Sequence, residues 1–314
     1  AVMTMLNIRG LRIAAIVQST VVIVILLVGG LFLFGSFFRG QVTNLDPLFI
    51  DGPVGITLVL VMVPFMFVGF DTIPQAAEEI DLPFRDIGAV LMLSVMMAIA
   101  WYCLIVLGVS LMINENELGS SDVLAAEANS KIYGEFGRLA MLGAGLAGII
   151  TSWNAFIVGG SRAIYALARA DLLPPALGKL HPRYRTPYNA ILLIGGLSVI
   201  GPFFGRPVMV WLVDAGGFGI VLAYGMVSWS FLVLRNRESE LERPYRVRFG
   251  NLVGWAALVL SIGLGFLYLP GSPSALLWPQ EWAIIIFWIA LGGVFYFLAT
   301  KKSNAASSDP LETE

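Results

Sequence analysis

The chain has 314 residues, 58% of them apolar and 13% charged, with a net charge of −2. Ordinary soluble domains run at roughly 45–50% apolar and about 25% charged residues, so the composition excludes a typical soluble domain and points to a polytopic membrane protein. The single cysteine, Cys103, excludes an internal disulfide, and the single histidine, His181, in a basic polar loop, excludes a histidine-built metal centre.

No cofactor, metal or nucleic-acid partner is expected, and the small net charge singles out no other. A spanning helix needs about 20 mostly apolar residues, and by that measure the chain reads as eight transmembrane segments. The start, Ala1-Val-Met-Thr-Met-Leu6, is apolar and reads as the end of a preceding span running into the basic turn Asn7-Ile-Arg-Gly-Leu-Arg12. The first segment, 11–37, is too long for a signal peptide and lacks a small-residue cleavage site.

The second segment, 53–77, carries the most information. At about mid-depth it holds Phe65-Met-Phe-Val-Gly-Phe-Asp-Thr-Ile-Pro74. Pro74 has no N–H and crowds the carbonyl of Phe70, and Pro64 does the same to Leu60. Gly69 lowers the cost of leaving helical geometry. Thr72 and Gln75 have capping-box spacing and read as the restart of a helix. Free backbone groups in hydrocarbon are tolerated only where they line protein or a wet cavity. A helix broken beside an acid, Asp71, therefore reads as a site for a polar solute.

The third segment is 87–113, with Cys103 read as a buried thiol. The polar loop 114–138 follows, its centre 121–133 reading as a short surface helix. The fourth segment, 139–168, is overlong, and its five glycines, Gly143, Gly145, Gly148, Gly159 and Gly160, permit close helix contacts. Segments at 188–204, 208–234, 252–269 and 281–299 complete the set. Asp214 opens the sixth of the eight and reads as an interfacial cap or, less simply, as part of an outer gate. Residues 303–314 are small, polar and acidic, and read as a disordered tail. With a cytoplasmic N-terminus, 15 of the 19 Lys and Arg face inward, leaving Arg39, Lys131, Arg138 and Arg206 outside. That asymmetry places both termini in the cytoplasm.

Four separated motifs carry a family likeness. They are Asn7-Ile-Arg-Gly-Leu-Arg12 with Val17-Gln18; Gly69-Phe-Asp with Ala77-Glu-Glu79 and Pro83-Phe-Arg-Asp-Ile87; Ser161-Arg162 with Ala168-Arg-Ala-Asp-Leu-Leu-Pro174 and His181-Pro-Arg-Tyr-Arg-Thr-Pro187; and Leu234-Arg with Arg243-Pro-Tyr-Arg-Val247. In this order the chain resembles the later part of an amino-acid permease of the amino acid–polyamine–organocation superfamily. The resemblance implies an all-α polytopic membrane protein with eight transmembrane helices, family helices five to twelve, forming a partial inverted-repeat transporter core with a broken helix. It further implies secondary active transport of amino acids across the plasma membrane by alternating access. A transporter of polyamines or other organic amines, and a sensor that keeps the fold without transport, are the alternatives.

Phe65, Phe67, Val68, Gly69, Phe70 and Asp71 are the candidate substrate residues at the break. The end of the first half-helix presents carbonyls and the negative end of a dipole, which suits an ammonium group. Asp71 has two readings: an N-cap, or a group for coupling or gating, since intramembrane acids default to function. Glu78 and Glu79, beside Arg85, read as gating residues or as a structural ion pair. The likeness to the family's eighth helix makes Ser152, Asn154 and Phe156 pocket candidates. Gly148, Thr151 and Ser152 share a helical face, and in sodium-coupled relatives such a trio helps hold Na⁺. Ser and Thr in membrane helices also pack against neighbours. Many sodium-independent relatives carry a lysine seven residues after the position of Gln18, where this chain has Ile25. The coupling ion is then H⁺ or Na⁺, or the protein exchanges substrates without one. The scarcity of histidines, nucleophiles and paired acids argues against a membrane-embedded enzyme, and no phosphate-binding glycine loop is present.

Overall fold

The computed structural model describes residues 2–307 apart from 10, 50, 76, 78, 79, 120 and 239, with the backbone alone at 11–15 and 302–307. Among the described residues the chain contains helices and turns and no strand. The helices are α1 (Val2–Arg9), α2 (Leu11–Arg39), α3 (Gly52–Met66), α4 (Thr72–Gln75), α5 (Phe84–Met112), α6 (Leu124–Arg169), α7 (Tyr188–Ile200), α8 (Gly205–Arg237), α9 (Gly250–Leu267) and α10 (Gln280–Ser307). Six helical runs are long and apolar enough to cross a bilayer: Ile16–Arg39, Phe84–Met112, Leu124–Arg169, Tyr188–Arg237, Gly250–Leu267 and Gln280–Lys301. This is a multi-pass membrane protein. The run Tyr188–Arg237 contains both α7 and α8, joined by the 3₁₀ turn Gly201–Phe204 and by Gly205 at φ 80°. α10 continues to Ser307, into the stretch expected to be disordered, and residues 308–314 lie outside the described residues.

Packing divides the helices into two groups. In the first, α6 and α2 pack together, with α5 against both and with α1 and α7 against α6. Its buried side chains are Met3, Ile157 and Ile191 at one end, and Phe32, Met112, Ile113, Ala128 and Ile132 at the other. In the second group α8 is the hub, packed against α3, α9 and α10. Its core is Ala215, Val221, Tyr268, Leu276 and Ile285. The short α4 belongs with α5 and α6, although α3, just before it, belongs with α8 and α9. The outward faces are apolar, as at Leu27, Met96, Val106, Leu260 and Phe297, and a surface of that kind requires lipid or further protein rather than water. Cys103 is exposed on such a face of α5, not buried.

α6 has an elbow. At Gly134 the backbone takes φ 66° and ψ −155°, so the segment 124–133 and the long segment after it run in different directions. The first is not a loose surface helix, since Ala126, Ala128, Asn129 and Ile132 are buried. Side chains tie the elbow down. Asn129 Nδ2 donates to the Gly137 carbonyl at 2.8 Å, Arg39 Nη1 to that of Ile132 at 2.6 Å, and Lys131 Nζ to that of Met112 at 3.1 Å. Lys131 also pairs with Glu117, and its hydrogen bond holds that exposed carboxyl below the usual glutamate range. Of the five glycines in the fourth sequence segment, Gly159 and Gly160 are closely approached by neighbouring side chains, while Gly143 and Gly145 face open space.

The torsions at Gly134 lie in a region that essentially only glycine adopts, at a cost to other residues of about 1–3 kcal/mol. Gly134→Ala should therefore destabilise the protein by about that amount in a detergent unfolding titration. Gly143→Ala, helical and uncrowded, should be neutral or stabilising by up to ~1 kcal/mol.

Candidate functional site

α3 stops at Met66, two positions after its internal Pro64. Residues 67–71 form a turn in which Gly69 has φ 130°, and α4 then makes a single helical turn from Thr72 to Gln75. At 1.5 Å per residue the 15-residue α3 is about 22 Å long, short of the ~30 Å hydrocarbon core. Pro64 and Pro74 weaken the ladder on either side of the turn.

The turn's hydrogen bonds can be followed atom by atom. Phe67 N–H donates to the Val63 carbonyl at 3.1 Å, and Val68 N–H to that of Phe65 at 3.2 Å. Thr72 N–H donates to the Gly69 carbonyl and Ile73 N–H to that of Phe70, both at 3.1 Å. The Phe70 carbonyl is therefore occupied. Among the described residues, no hydrogen bond ends on the carbonyls of Phe67 and Val68. Asp71 clasps the turn through both carboxylate oxygens. Oδ1 accepts from Gly69 N–H at 2.9 Å and Oδ2 from Gln75 Nε2 at 3.2 Å. Thr72 opens α4 as its first residue and does not cap it. The side chain that organises this corner is Asp71, which reaches backward to the turn as well as forward to Gln75. With one turn of helix, α4 contributes little dipole of its own.

Three aromatic contacts hold the turn to three helices. Phe65 stacks on Phe156 of α6 with ring centroids 6.5 Å apart, Phe67 meets Tyr102 of α5 edge-on at 5.4 Å, and Phe70 tilts against Tyr224 of α8 at 5.8 Å. Tyr102 also donates its hydroxyl to the Met66 carbonyl at 3.0 Å, satisfying one of the acceptors freed at the end of α3. Among the described residues the buried Tyr224 hydroxyl has no hydrogen-bond partner. Neither tyrosine was singled out from the sequence. The available signal was an aromatic hydroxyl inside an apolar run, a group that needs a partner when buried.

Asn154, at 2% exposure, is the most enclosed of the sequence-selected residues in α6. Its Oδ1 accepts from Asn7 Nδ2 at 2.7 Å and its Nδ2 donates to Gln18 Oε1 at 2.8 Å. Asn7 also donates to the Met3 carbonyl. This polar relay joins α1, α2 and α6 within their apolar packing. Ser152 and Phe156 lie on the exposed face of the same helix. Thr151 Oγ1 donates to the Gly148 carbonyl at 2.8 Å, so two of the three candidate ion ligands bond to each other. A Cβ on Gly148 would sit 3.8 Å from Ile25 Cδ1, which brings the apolar residue at the lysine position directly against this trio. Glu78 and Glu79 lie outside the described residues, and Arg85 approaches Asp86 at 3.4 Å. Asp214 is not a cap, because α8 begins well before it at Gly205. No cluster of His, Cys, Asp or Glu suited to a metal ion occurs among the described residues.

Removing Asn154 takes a partner from the buried amide of Asn7 and from the half-buried amide of Gln18. Asn154→Ala should lower stability by about 1–3 kcal/mol through the unmet groups of Asn7 and Gln18. Ser152→Ala, on the exposed face, should stay within about 0.5 kcal/mol of wild type. Thermal unfolding of both variants in one detergent checks the contrast.

Comparison with known proteins adds to this geometry. A family model for amino acid permeases matches residues 1–295. The chain is 25% identical to the methylthioribose transporter of Bacillus subtilis (strain 168) over 94% of its own length and 62% of the relative's. It is 26% identical to the branched-chain amino acid permease BcaP of the same organism, over 94% and 61%. It is 27% identical to the vacuolar cationic amino acid transporter 8 of Arabidopsis thaliana, over 92% and 45%. The chain thus spans about half to three-fifths of these relatives' lengths.

Proposed function

The chain belongs to the amino acid permease family, a family of transporters, and we propose that it forms the later part of a secondary transporter that moves amino acids by alternating access. The observation that carries this reading is the turn 67–71. The helix before it is too short to cross a bilayer, the carbonyls of Phe67 and Val68 accept no hydrogen bond among the described residues, and aromatic rings from three other helices surround it. In this reading α3 and α4 are the two halves of one broken span and α7 and α8 are separate spans, giving eight in all. The free carbonyls receive the substrate ammonium. Phe65, Phe67, Phe70 and Phe156 wall the site, and the unpartnered hydroxyl of Tyr224 donates to a polar group of the substrate. An organic amine is a smaller variant of the same ligand. The relative named as a methylthioribose transporter favours a second reading, in which a neutral polar solute takes the carbonyls through its hydroxyl donors.

Asp71 is the proposed coupling group. Its carboxylate clasps the turn, so protonating it weakens the oxygens that accept from the Gly69 N–H and the Gln75 amide and loosens the site. Sodium at Gly148, Thr151 and Ser152 is the competing choice, and Ile25 is the apolar residue beside it. The charge asymmetry supports cytoplasmic loops at 78–88, 171–187 and 235–250 with both termini inside, and the proposed location is the plasma membrane.

In the full-length protein, Asp71→Asn retains size and one acceptor but not the charge. Uptake into proteoliposomes should fall by about tenfold or more, equivalent to about 1.4 kcal/mol on the rate-limiting barrier, with substrate binding less affected. Wild-type rates and pH dependence would leave Asp71 with a purely structural role. For orientation, single cysteines at Asp122 and Glu240, with Cys103 replaced, should label from outside and inside respectively in intact cells. Labelling of both from outside would overturn the topology.

A further inference from the structure

Away from the turn 67–71, two carboxyl groups meet where α10 begins against α8. Glu281 is 2% exposed, one of the most completely buried side chains in the protein. Its Oε2 accepts from the Leu277 N–H at 2.7 Å, which fastens the turn before α10 to the helix. Its Oε1 is buried with no donor among the described residues. The carboxyl of Asp214, half-buried on α8, lies within hydrogen-bonding reach of Glu281.

Among the described residues no salt bridge joins either carboxyl to a cation. α3 and α9 contain no charged residue, and neither does the turn 268–279. On α8 the nearest base in sequence is Arg206, which points to Asp122 at 3.6 Å. On α10 the bases are Lys301 and Lys302, at the opposite end of the helix. The titratable neighbour Tyr268, fully buried, donates its hydroxyl to the Val61 carbonyl of α3 at 2.8 Å and is therefore spent. Two ionised carboxylates side by side, one of them fully enclosed and neither paired with a cation, repel each other and carry a large desolvation penalty. A single proton between them removes the repulsion and supplies the missing donor to an orphaned oxygen, as in other carboxyl pairs that share one proton.

We propose that Asp214 and Glu281 form a proton-binding site, holding one shared proton at neutral pH and clamping the start of α10 to α8 through a carboxyl–carboxylate hydrogen bond. The ligand is the proton itself. The site is separate from the turn 67–71 and does not depend on Asp71. The Tyr268–Val61 bond ties the same cluster to α3, the helix that ends at the turn.

The test is proton counting on the full-length protein in detergent micelles. Unfolding in strong anionic detergent at pH 7, followed with a pH indicator, should release one proton more from wild type than from Glu281→Gln, whose amide replaces the donor without a titrating group. Asp214→Asn provides the second variant and should lose the same proton. Infrared spectra of the folded wild type at pH 7 should contain the C=O stretch of a protonated carboxyl, and the band should be missing from Glu281→Gln. An unchanged proton count in either folded variant, or no such band in the wild type at pH 7, would overturn the site.

Discussion

Inside a bilayer, a backbone that leaves the helix must find partners for its N–H and C=O groups within the protein. The turn at residues 67–71 meets that demand with Asp71, which takes the Gly69 N–H and the Gln75 amide, and with Tyr102, which takes the Met66 carbonyl. Much of the surrounding arrangement follows from this. Rings from α5, α6 and α8 must converge on the turn, because three phenylalanines on or beside it need apolar neighbours at three different azimuths. A Cβ at Gly159 would displace the Gln75 amide and crowd Thr72. Among the described residues the carbonyls of Phe67 and Val68 accept no hydrogen bond, and it is these that the proposed function assigns to a ligand.

Much of this could be read from residue types. Pro64, Gly69 and Pro74 mark the interruption by rules that act within one helical turn, while α6 begins well before the apolar run 139–168 and α10 runs past 299. The grip on the turn was not legible. Tyr102 and Tyr224 sit in apolar stretches far away in the chain, and only tertiary packing brings them to Phe67 and Phe70. The elbow at Gly134 was equally hidden, because a lone glycine inside a helical pattern is usually just a tolerated one. Asp214 looked like a cap because its glycine-rich neighbours suggested a helix start, whereas the apolar packing of α8 carries the helix through them from Gly205.

Asn154 illustrates a related ambiguity. A polar residue in a membrane helix signals either a ligand contact or a structural hydrogen bond between helices, and sequence alone does not separate the two. Here both of its amide atoms are engaged by Asn7 and Gln18, so any effect it has on a substrate passes through the positions of α1 and α2. Ile25 belongs to the same picture. Set against Gly148, it makes that side of the α2–α6 contact apolar, and any charge carried by a coupling ion must be balanced by other groups.

The division of the helices into two packing groups has a mechanical corollary. The chain passes between the groups at only three places: the loop leading into α3, the turn 67–71 and the short link from α7 to α8. Each crossing has a glycine at positive φ, Gly52 at 53°, Gly69 at 130° and Gly205 at 80°. Glycine moves between these torsions and ordinary ones with little steric penalty. A rocking of one group against the other would concentrate its backbone strain at these three pivots and leave the long helices rigid. The free carbonyls of Phe67 and Val68 sit at the middle pivot, where a small rotation changes most directly which side of the seam they face.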